Sequence, residues 1–231
     1  MLKENLFSVE ERIREVCSRC GRSYEEVKLI AVSKTKPVNM LQEIYDAGMR
    51  DFGENKPQEI RDKYPVLPDD IRWHMIGNLQ KNKIKYIIDR ACMIHSIDSV
   101  SLAEAVSLEA EKRGIVMPVL VEVNMAGEDT KGGLVPEETE AFIRSISRLT
   151  NIRIEGLMTV APFTENPEEN RKYFRALKKL LVDINGKNID NVDMHELSMG
   201  MTGDFEVAIE EGATMVRVGT AIFGERYYSQ K

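Results

Sequence analysis

An alternation constrains this chain more than any other feature. Eight short apolar runs of six to nine residues are separated by stretches whose apolar positions recur at helical spacing. The runs read as strands are "VKLIAVSK" (27–34), "MRDFGE" (49–54), "IRWHMIG" (71–77), "CMIHSI" (92–97), "MPVLVEVN" (117–124), "IRIEGLMTV" (152–160), "DMHELSM" (193–199) and "TMVRVG" (214–219). Between them lie helical patterns such as "VNMLQEIYDAG", "SLAEAVSLEAEKRG", "PEETEAFIRSISRL" and "NRKYFRALKKLLVDI". Strands separated by helices pair in parallel through crossovers, and eight of them can close a (β/α)8 barrel. The 231 residues suit such a barrel as one unit, which takes roughly 200 to 250. An open doubly wound sheet is the rival. It would prefer a glycine-rich loop after the first strand, and "VSKTKPV" has none. The expected architecture is therefore a single α/β barrel domain over residues 1–231, preceded by an extra N-terminal helix. Ser8 and Glu11 form a capping box for that helix, Val9, Ile13 and Val16 its apolar stripe, and Gly21 its stop.

Charge and composition exclude several functions. A net charge of -6 argues against a nucleic-acid partner, which usually meets a basic surface. No run approaches the roughly 20 apolar residues of a membrane span, and "MLKENLFSVEERIREV" carries charges where a signal peptide needs an apolar core. A cytoplasmic protein with no membrane partner is expected. Three cysteines, Cys17, Cys20 and Cys92, do not make a disulfide framework. Cys17 and Cys20 form a lone C-x-x-C on a helix, so reduced thiols are expected there and no metal.

Barrels gather their functional groups at the C-terminal ends of strands. Those ends read Lys34, Glu54 and Asn55, Gly77 and Asn78, Ser96, Asn124, Met158 and Thr159, Ser198 and Gly200, then Arg217, Gly219 and Thr220. The strand bodies are apolar and their ends polar, which points to a ligand in one mouth. The loops after strands seven and eight, "SMGMTGDF" and "RVGTAIFG", offer free N–H groups and small residues in the places where barrels hold phosphate. Lys34 ends an apolar strand. A partly desolvated amine has a lowered pKa and can attack an aldehyde. Aldehyde with phosphate fits either a sugar phosphate in a Schiff-base aldolase or pyridoxal phosphate. The loop 124–136, "NMAGEDTKGGLVP", is long enough to act as a lid.

The segments "LIAVSKTKP", "DFGEN", "WHMIGNLQKNK", "GLMT", "ELSMGMTGDFEVAI" and "VRVGTAIFG" closely resemble the YggS/PROSC family of pyridoxal-phosphate-binding proteins, in the family's order and over essentially the whole chain. The resemblance implies a fold like the barrel domain of alanine racemase, with a part in vitamin B6 and amino-acid homeostasis and no firm catalytic activity. It makes Lys34 the Schiff-base lysine and Lys36 a solvent-side neighbour. Asn55 would line the cofactor. Ser198, Thr202, Gly219 and Thr220 would hold the phosphate, assisted by the backbone around Met199 and Gly200. Arg217 would face the pyridine nitrogen. His74 and Gly77 fall in the third motif, His74 equally as a core histidine. Three positions depart from the family pattern: Lys56-Pro57 after "GEN", Thr202 where serine is usual, and Asn78 where histidine is frequent. Lys131 stands where the family also tends to carry lysine; the plainer reading is a solvated loop charge, the other a lid lysine that handles the cofactor transiently.

The expected function is a monomeric pyridoxal 5'-phosphate binder that stores the cofactor or hands it to apoenzymes, without evident catalysis. A pyridoxal-phosphate-dependent racemase is the alternative, and an aldolase stands further off. Two-base racemisation needs a second acid/base on the opposite face, which in full-length alanine racemases, similar to this chain only in their barrel, comes from an additional β-domain of a partner subunit. The chain stops at Lys231 soon after the eighth strand, so that domain is not expected, and Tyr227 and Tyr228 are the candidate substitutes.

Overall fold

The computed structural model describes residues 1–128 and 131–225. Eight parallel strands close into a barrel in sequence order: β1 (Lys28–Val32), β2 (Asp51–Glu54), β3 (Arg72–Met75), β4 (Ala91–Ile97), β5 (Met117–Glu122), β6 (Ile152–Met158), β7 (Val192–Met201) and β8 (Met215–Val218). Closure comes from β8 pairing back onto β1, with Ile30 opposite Arg217 and Ala31 opposite Val218. The expected (β/α)8 barrel is thus the fold, with the strands ordered as the alternation required.

Side chains alternate across each strand, so the barrel has two apolar layers. Ile30, Met93, Leu120, Met158 and Met215 meet inside it. Ala31, Phe52, Trp73, Ile94, Val119 and Val218 face outward against the helices. Each buried Val, Ile, Leu, Met or Phe side chain among them contributes about 1.5–3 kcal/mol. The outer ring consists of α2 (Val38–Asp46), α3 (Pro57–Lys63), α4 (Val100–Glu111), α5 (Pro136–Ile146), α6 (Arg171–Asn185), α7 (Phe205–Glu210) and the single turn α8 (Thr220–Phe223). Between β3 and β4 a 3-10 helix, Lys81–Tyr86, takes the place of an α-helix. Among the described residues no helix is long and apolar enough to cross a membrane.

The N-terminal helix α1 runs Leu2–Arg19 and packs on α2, α7 and α8 outside the seam where β8 meets β1. Its start corrects the sequence reading. Ser8 lies mid-helix, because Leu6 continues the buried stripe of Val9, Ile13, Val16 and Cys17 one turn further back. Asn5 also donates to the carbonyl of Ile222 at 3.0 Å. The helix ends at Arg19 with Cys20 as its cap, and Gly21 stops it as read, its φ of 71° turning the backbone away. Cys17, Cys20 and Cys92 are free thiols.

Candidate functional site

Lys34 stands two residues past the end of β1, half-buried at the barrel mouth. Its neighbours on both sides are gripped. Ser33 donates its N–H to the Gly53 carbonyl at 3.0 Å and its hydroxyl to Glu54 Oε1 at 2.6 Å. Thr35 occupies the left-handed region at φ 63°, unusual for a β-branched residue, and its N–H donates to Glu59 Oε2 at 2.8 Å. The cluster is closed by Lys63, at the end of α3. Its buried Nζ donates to the Ser33 carbonyl at 3.0 Å, to Glu54 Oε1 at 2.7 Å and to Glu59 Oε2 at 2.9 Å. All three ammonium hydrogens are used, so the cluster holds two carboxylates against one cation. Burial raises Glu54 to about 7, against the pull of Lys63, and its Oε2 has no partner among the described residues. The backbone carrying Lys34 is therefore fixed by groups from β2 and α3. Glu54 stands among the polar strand ends read from the sequence, but neither Glu59 nor Lys63 was assigned to this site. The Glu59–Lys63 spacing of four on α3 is the one visible sign of the cluster, and it resembles an ordinary surface pair.

Lys36 differs from its expected role as a solvent-side neighbour. Its Nζ donates to the carbonyls of Phe223, Gly224 and Glu225 at 3.0, 3.0 and 3.1 Å, which ties the chain after α8 to the β1 turn. The geometry follows from the closure of β8 on β1, which puts the two loops side by side.

Arg217 points inward from β8 and is almost wholly buried, with 4% of its surface exposed. Nη1 donates to Ser198 Oγ at 2.6 Å and Nη2 to the Thr159 carbonyl at 2.8 Å. Thr159 lies just past the end of β6, so the guanidinium reaches up toward the mouth. At this depth the side chain does not leave the barrel for a surface acid such as Glu196 or Glu225. Burial lowers its pKa to about 10, partly offset by Glu122 and Asp204, and the side chain remains charged at neutral pH. Glu122, at the end of β5, is pushed up to about 7 by burial and Asp98, against Arg217.

Ser198, taken from the sequence with the phosphate turn, sits deeper than the rest of that turn. It is fully buried and also meets His95 Nδ1 at 2.9 Å. Beyond it β7 carries an extra residue: Ser198 pairs with Met215, but Met201 pairs with Arg217. The bulge is formed by Met199 and Gly200. Gly200 has φ 89°, and a side chain there would strike Ala208 at 2.6 Å. Past the bulge, Thr202 Oγ1 accepts from the N–H groups of Gly219 at 3.3 Å and Ala221 at 3.5 Å. Thr202, Gly219 and exposed Thr220 thus converge at one edge of the mouth. Asp204 braces the turn by accepting from the Met201 N–H at 2.7 Å and from Asn170 at 2.8 Å.

Half-buried Asn55 follows β2 directly, with its backbone against Gly77, where a Cβ would lie 2.5 Å from the Asn55 carbonyl oxygen. Only glycine permits that approach. Ser96 donates to the Gly77 carbonyl at 2.6 Å. His74 points into the barrel well below the mouth and contacts His95 at 3.0 Å. The loop after β5 is stitched to the rim through Asn124 N–H to the Leu134 carbonyl at 2.8 Å. Lys131 is not a solvated loop charge. It is half-buried, pairs with Glu128 and donates to the carbonyls of Ala161 at 3.0 Å and Val160 at 3.4 Å. Tyr227 and Tyr228 lie outside the described residues.

The family model described as "Alanine racemase, N-terminal domain" matches residues 5–227. A protein of Aquifex aeolicus named pyridoxal phosphate homeostasis protein is 47% identical, over 97% of this chain and 98% of its own length. PipY of Synechococcus elongatus, solved with PLP bound, superposes with a TM-score of 0.84 at 32% identity, covering 97% of this chain and 100% of that one. Alanine racemase from Corynebacterium glutamicum shares the fold, with a TM-score of 0.68 at 16% identity over 98% of this chain and 63% of that one.

Proposed function

The chain belongs to the alanine racemase N-terminal domain family, and on that footing we propose that it binds pyridoxal 5'-phosphate at the barrel mouth through a Schiff base to Lys34. We infer that it acts in intracellular vitamin B6 and amino-acid homeostasis as a carrier, delivering to apoenzymes and catalysing no reaction of its own. The observation that carries this reading is that Lys34, the buried Arg217 guanidinium and the Thr202–Gly219–Ala221 cup all lie at the C-terminal ends of the barrel strands.

The donor set fits the cofactor. An amine of the Lys34 type adds to an aldehyde carbon and releases water as the C=N bond forms. The clamp on Ser33 and Thr35 presents that amine without a search through backbone conformations. The N–H groups of Gly219 and Ala221, with the hydroxyls of Thr202 and Thr220, suit phosphate oxygens, which accept hydrogen bonds only. Asn55 and the backbone of Met199 and Gly200 would line the cleft between. When bound, the cofactor supplies an aldehyde and a ring that draws electrons from an attached substrate.

Arg217 supports the carrier over the enzyme. A guanidinium donates and never accepts, so a ring nitrogen facing it stays unprotonated. A neutral ring is a weak electron sink, and a proton next to nitrogen on an attached amino acid is then lost slowly. The test is a spectrum of the purified chain with and without pyridoxal phosphate, followed by assay against a panel of amino acids. A visible Schiff-base band without turnover is expected. Turnover would point to the racemase, and no band would overturn cofactor binding.

A further inference from the structure

Beneath the mouth a chain of polar side chains crosses the barrel interior. Arg217 Nη1 donates to Ser198 Oγ at 2.6 Å, and Ser198 Oγ lies 2.9 Å from His95 Nδ1. His95 Nε2 is 3.0 Å from His74 Nδ1, and His74 Nε2 is 3.0 Å from Asp51 Oδ1. Asp51 in turn accepts from Arg72, whose Nε lies at 2.8 Å and whose side chain is half exposed at the barrel floor. Ser198, His95 and His74 are each at least 99% buried, far more polar surface than an interior layer needs for packing. No step of the Schiff-base reading uses them.

The contacts admit two hydrogen arrangements. With His74 neutral, every donor meets an acceptor in one direction: Arg217 to Ser198, Ser198 to His95 Nδ1, His95 Nε2–H to His74 Nδ1, His74 Nε2–H to Asp51. With His74 protonated, both of its nitrogens donate. His95 must then accept on Nε2 and carry its hydrogen on Nδ1, which donates to Ser198. Ser198 Oγ now accepts twice, and its own hydrogen has no acceptor among the described residues. One proton gained at the floor therefore reverses the His95 tautomer and releases the Ser198 hydroxyl beside Arg217.

We propose that His74 and His95 are positioning residues that couple a proton at the barrel floor to the hydrogen-bonding capacity of Ser198 and Arg217 at the ligand. This rests on the cofactor reading above only for the identity of the ligand. A ligand acceptor shared with Arg217 offers the released hydroxyl hydrogen a partner. Such a ligand binds more tightly when His74 is charged, and by linkage its binding makes His74 harder to deprotonate.

The charged groups around the chain set where it titrates. Burial opposes charge on His74, while the Cys92 sulfur at 3.5 Å and the Asp51 carboxylate push it up, to about 9. His95 is held well below the ordinary range by burial, with His74, Arg217 and Lys28 adding to the effect, so it stays neutral. Asp51 would be raised by burial, but Arg72 and His74 bring it down to about 2, and it remains ionised throughout. The carboxylates Glu122 and Asp204 act through their charge on Arg217 and partly offset its burial.

The test uses the full chain labelled with nitrogen-15 at histidine. In the ligand-free protein, imidazole shifts followed from pH 6 to 10 should show His95 changing tautomer as His74 loses its proton. Affinity for pyridoxal phosphate should fall about fivefold across the same titration, the worth of one net hydrogen bond. His74→Gln should flatten that fall, and Asp51→Asn should move it to lower pH. A His95 tautomer that stays fixed while His74 titrates would overturn the coupling. So would an unchanged affinity profile in His74→Gln. Should the variants fail to fold, the wild-type shifts decide alone. If the wild type binds no pyridoxal phosphate, the cofactor reading fails, while the ligand-free tautomer change still tests the coupling.

Discussion

Lys63 donates to Glu54 across a buried 2.7 Å contact, and the same ammonium holds Glu59 and the Ser33 carbonyl beside the candidate lysine. Removing one partner of a buried ion pair costs far more than the pair contributes, because the other charge is left behind. Lys63→Met should therefore cost about 3–5 kcal/mol of unfolding free energy in urea. Adding Glu54→Gln to that variant should recover part of the loss. Additive losses in the double variant would mean that the two side chains do not act together.

Glu54 also makes stability depend on pH. Its folded pKa, raised from 4.5 to about 7 by burial against Lys63, exceeds the unfolded value. A carboxyl of this kind favours the folded state while protonated, so its contribution falls as pH rises from about 4.5 to about 7 and is level above that. The linked change is roughly 3 kcal/mol. Urea midpoints at pH 4.5 and 7.5 should show a larger fall for the wild type than for Glu54→Gln. Glu122 titrates in the same range, so the difference between the two proteins is the quantity to read.

The cup at Thr202 separates phosphate from the rest of the ligand. Thr202→Val keeps the shape and removes the hydroxyl that faces the Gly219 and Ala221 N–H groups. A hydrogen bond to a charged group is worth about 1.5–3 kcal/mol, so affinity for pyridoxal phosphate should drop roughly tenfold or more. Pyridoxal lacking the phosphate should lose much less. Ser198→Ala should weaken both ligands alike, because Ser198 braces Arg217 and lies below the cup. Equal losses for both ligands in Thr202→Val would place the phosphate elsewhere.

Arg217→Glu replaces a donor with an acceptor at the point where the ring nitrogen is expected. A carboxylate there favours a protonated ring and a stronger electron sink. The bound cofactor should change its visible spectrum, with faint transamination of an amino acid added in excess. A spectrum identical to the wild type would show that Arg217 does not meet the ring.

The barrel was legible because strand and helix differ in period, and eight apolar runs leave few ways to close a sheet. Element ends were less so. Leu6 extends α1 past a sound capping box, since tertiary burial outweighs a local cap. Among site residues, Lys34, Arg217 and Gly219 stand at strand ends, where position alone singles them out, while Thr202 entered through the resemblance. Lys63 and His95 could not be found this way. Lys63 reaches the mouth from a helix, and its burial follows from three acceptors that only the fold assembles. His95 sits inside "CMIHSI" and reads as one more strand residue until β3 and β4 bring it against His74. The resemblance assigned Ser198 and Thr202 together to the phosphate, and the bulge at Gly200 puts them at different depths.

The central claim is that Lys34 carries the cofactor, and borohydride reduction of the loaded protein tests it most directly. Reduction makes the C=N bond permanent, so digestion and mass spectrometry locate the attached lysine. The label should lie on the peptide containing Lys34, and Lys34→Ala should lose both the label and the visible band. Label on Lys36 or Lys131, or a visible band that survives in Lys34→Ala, would contradict the account.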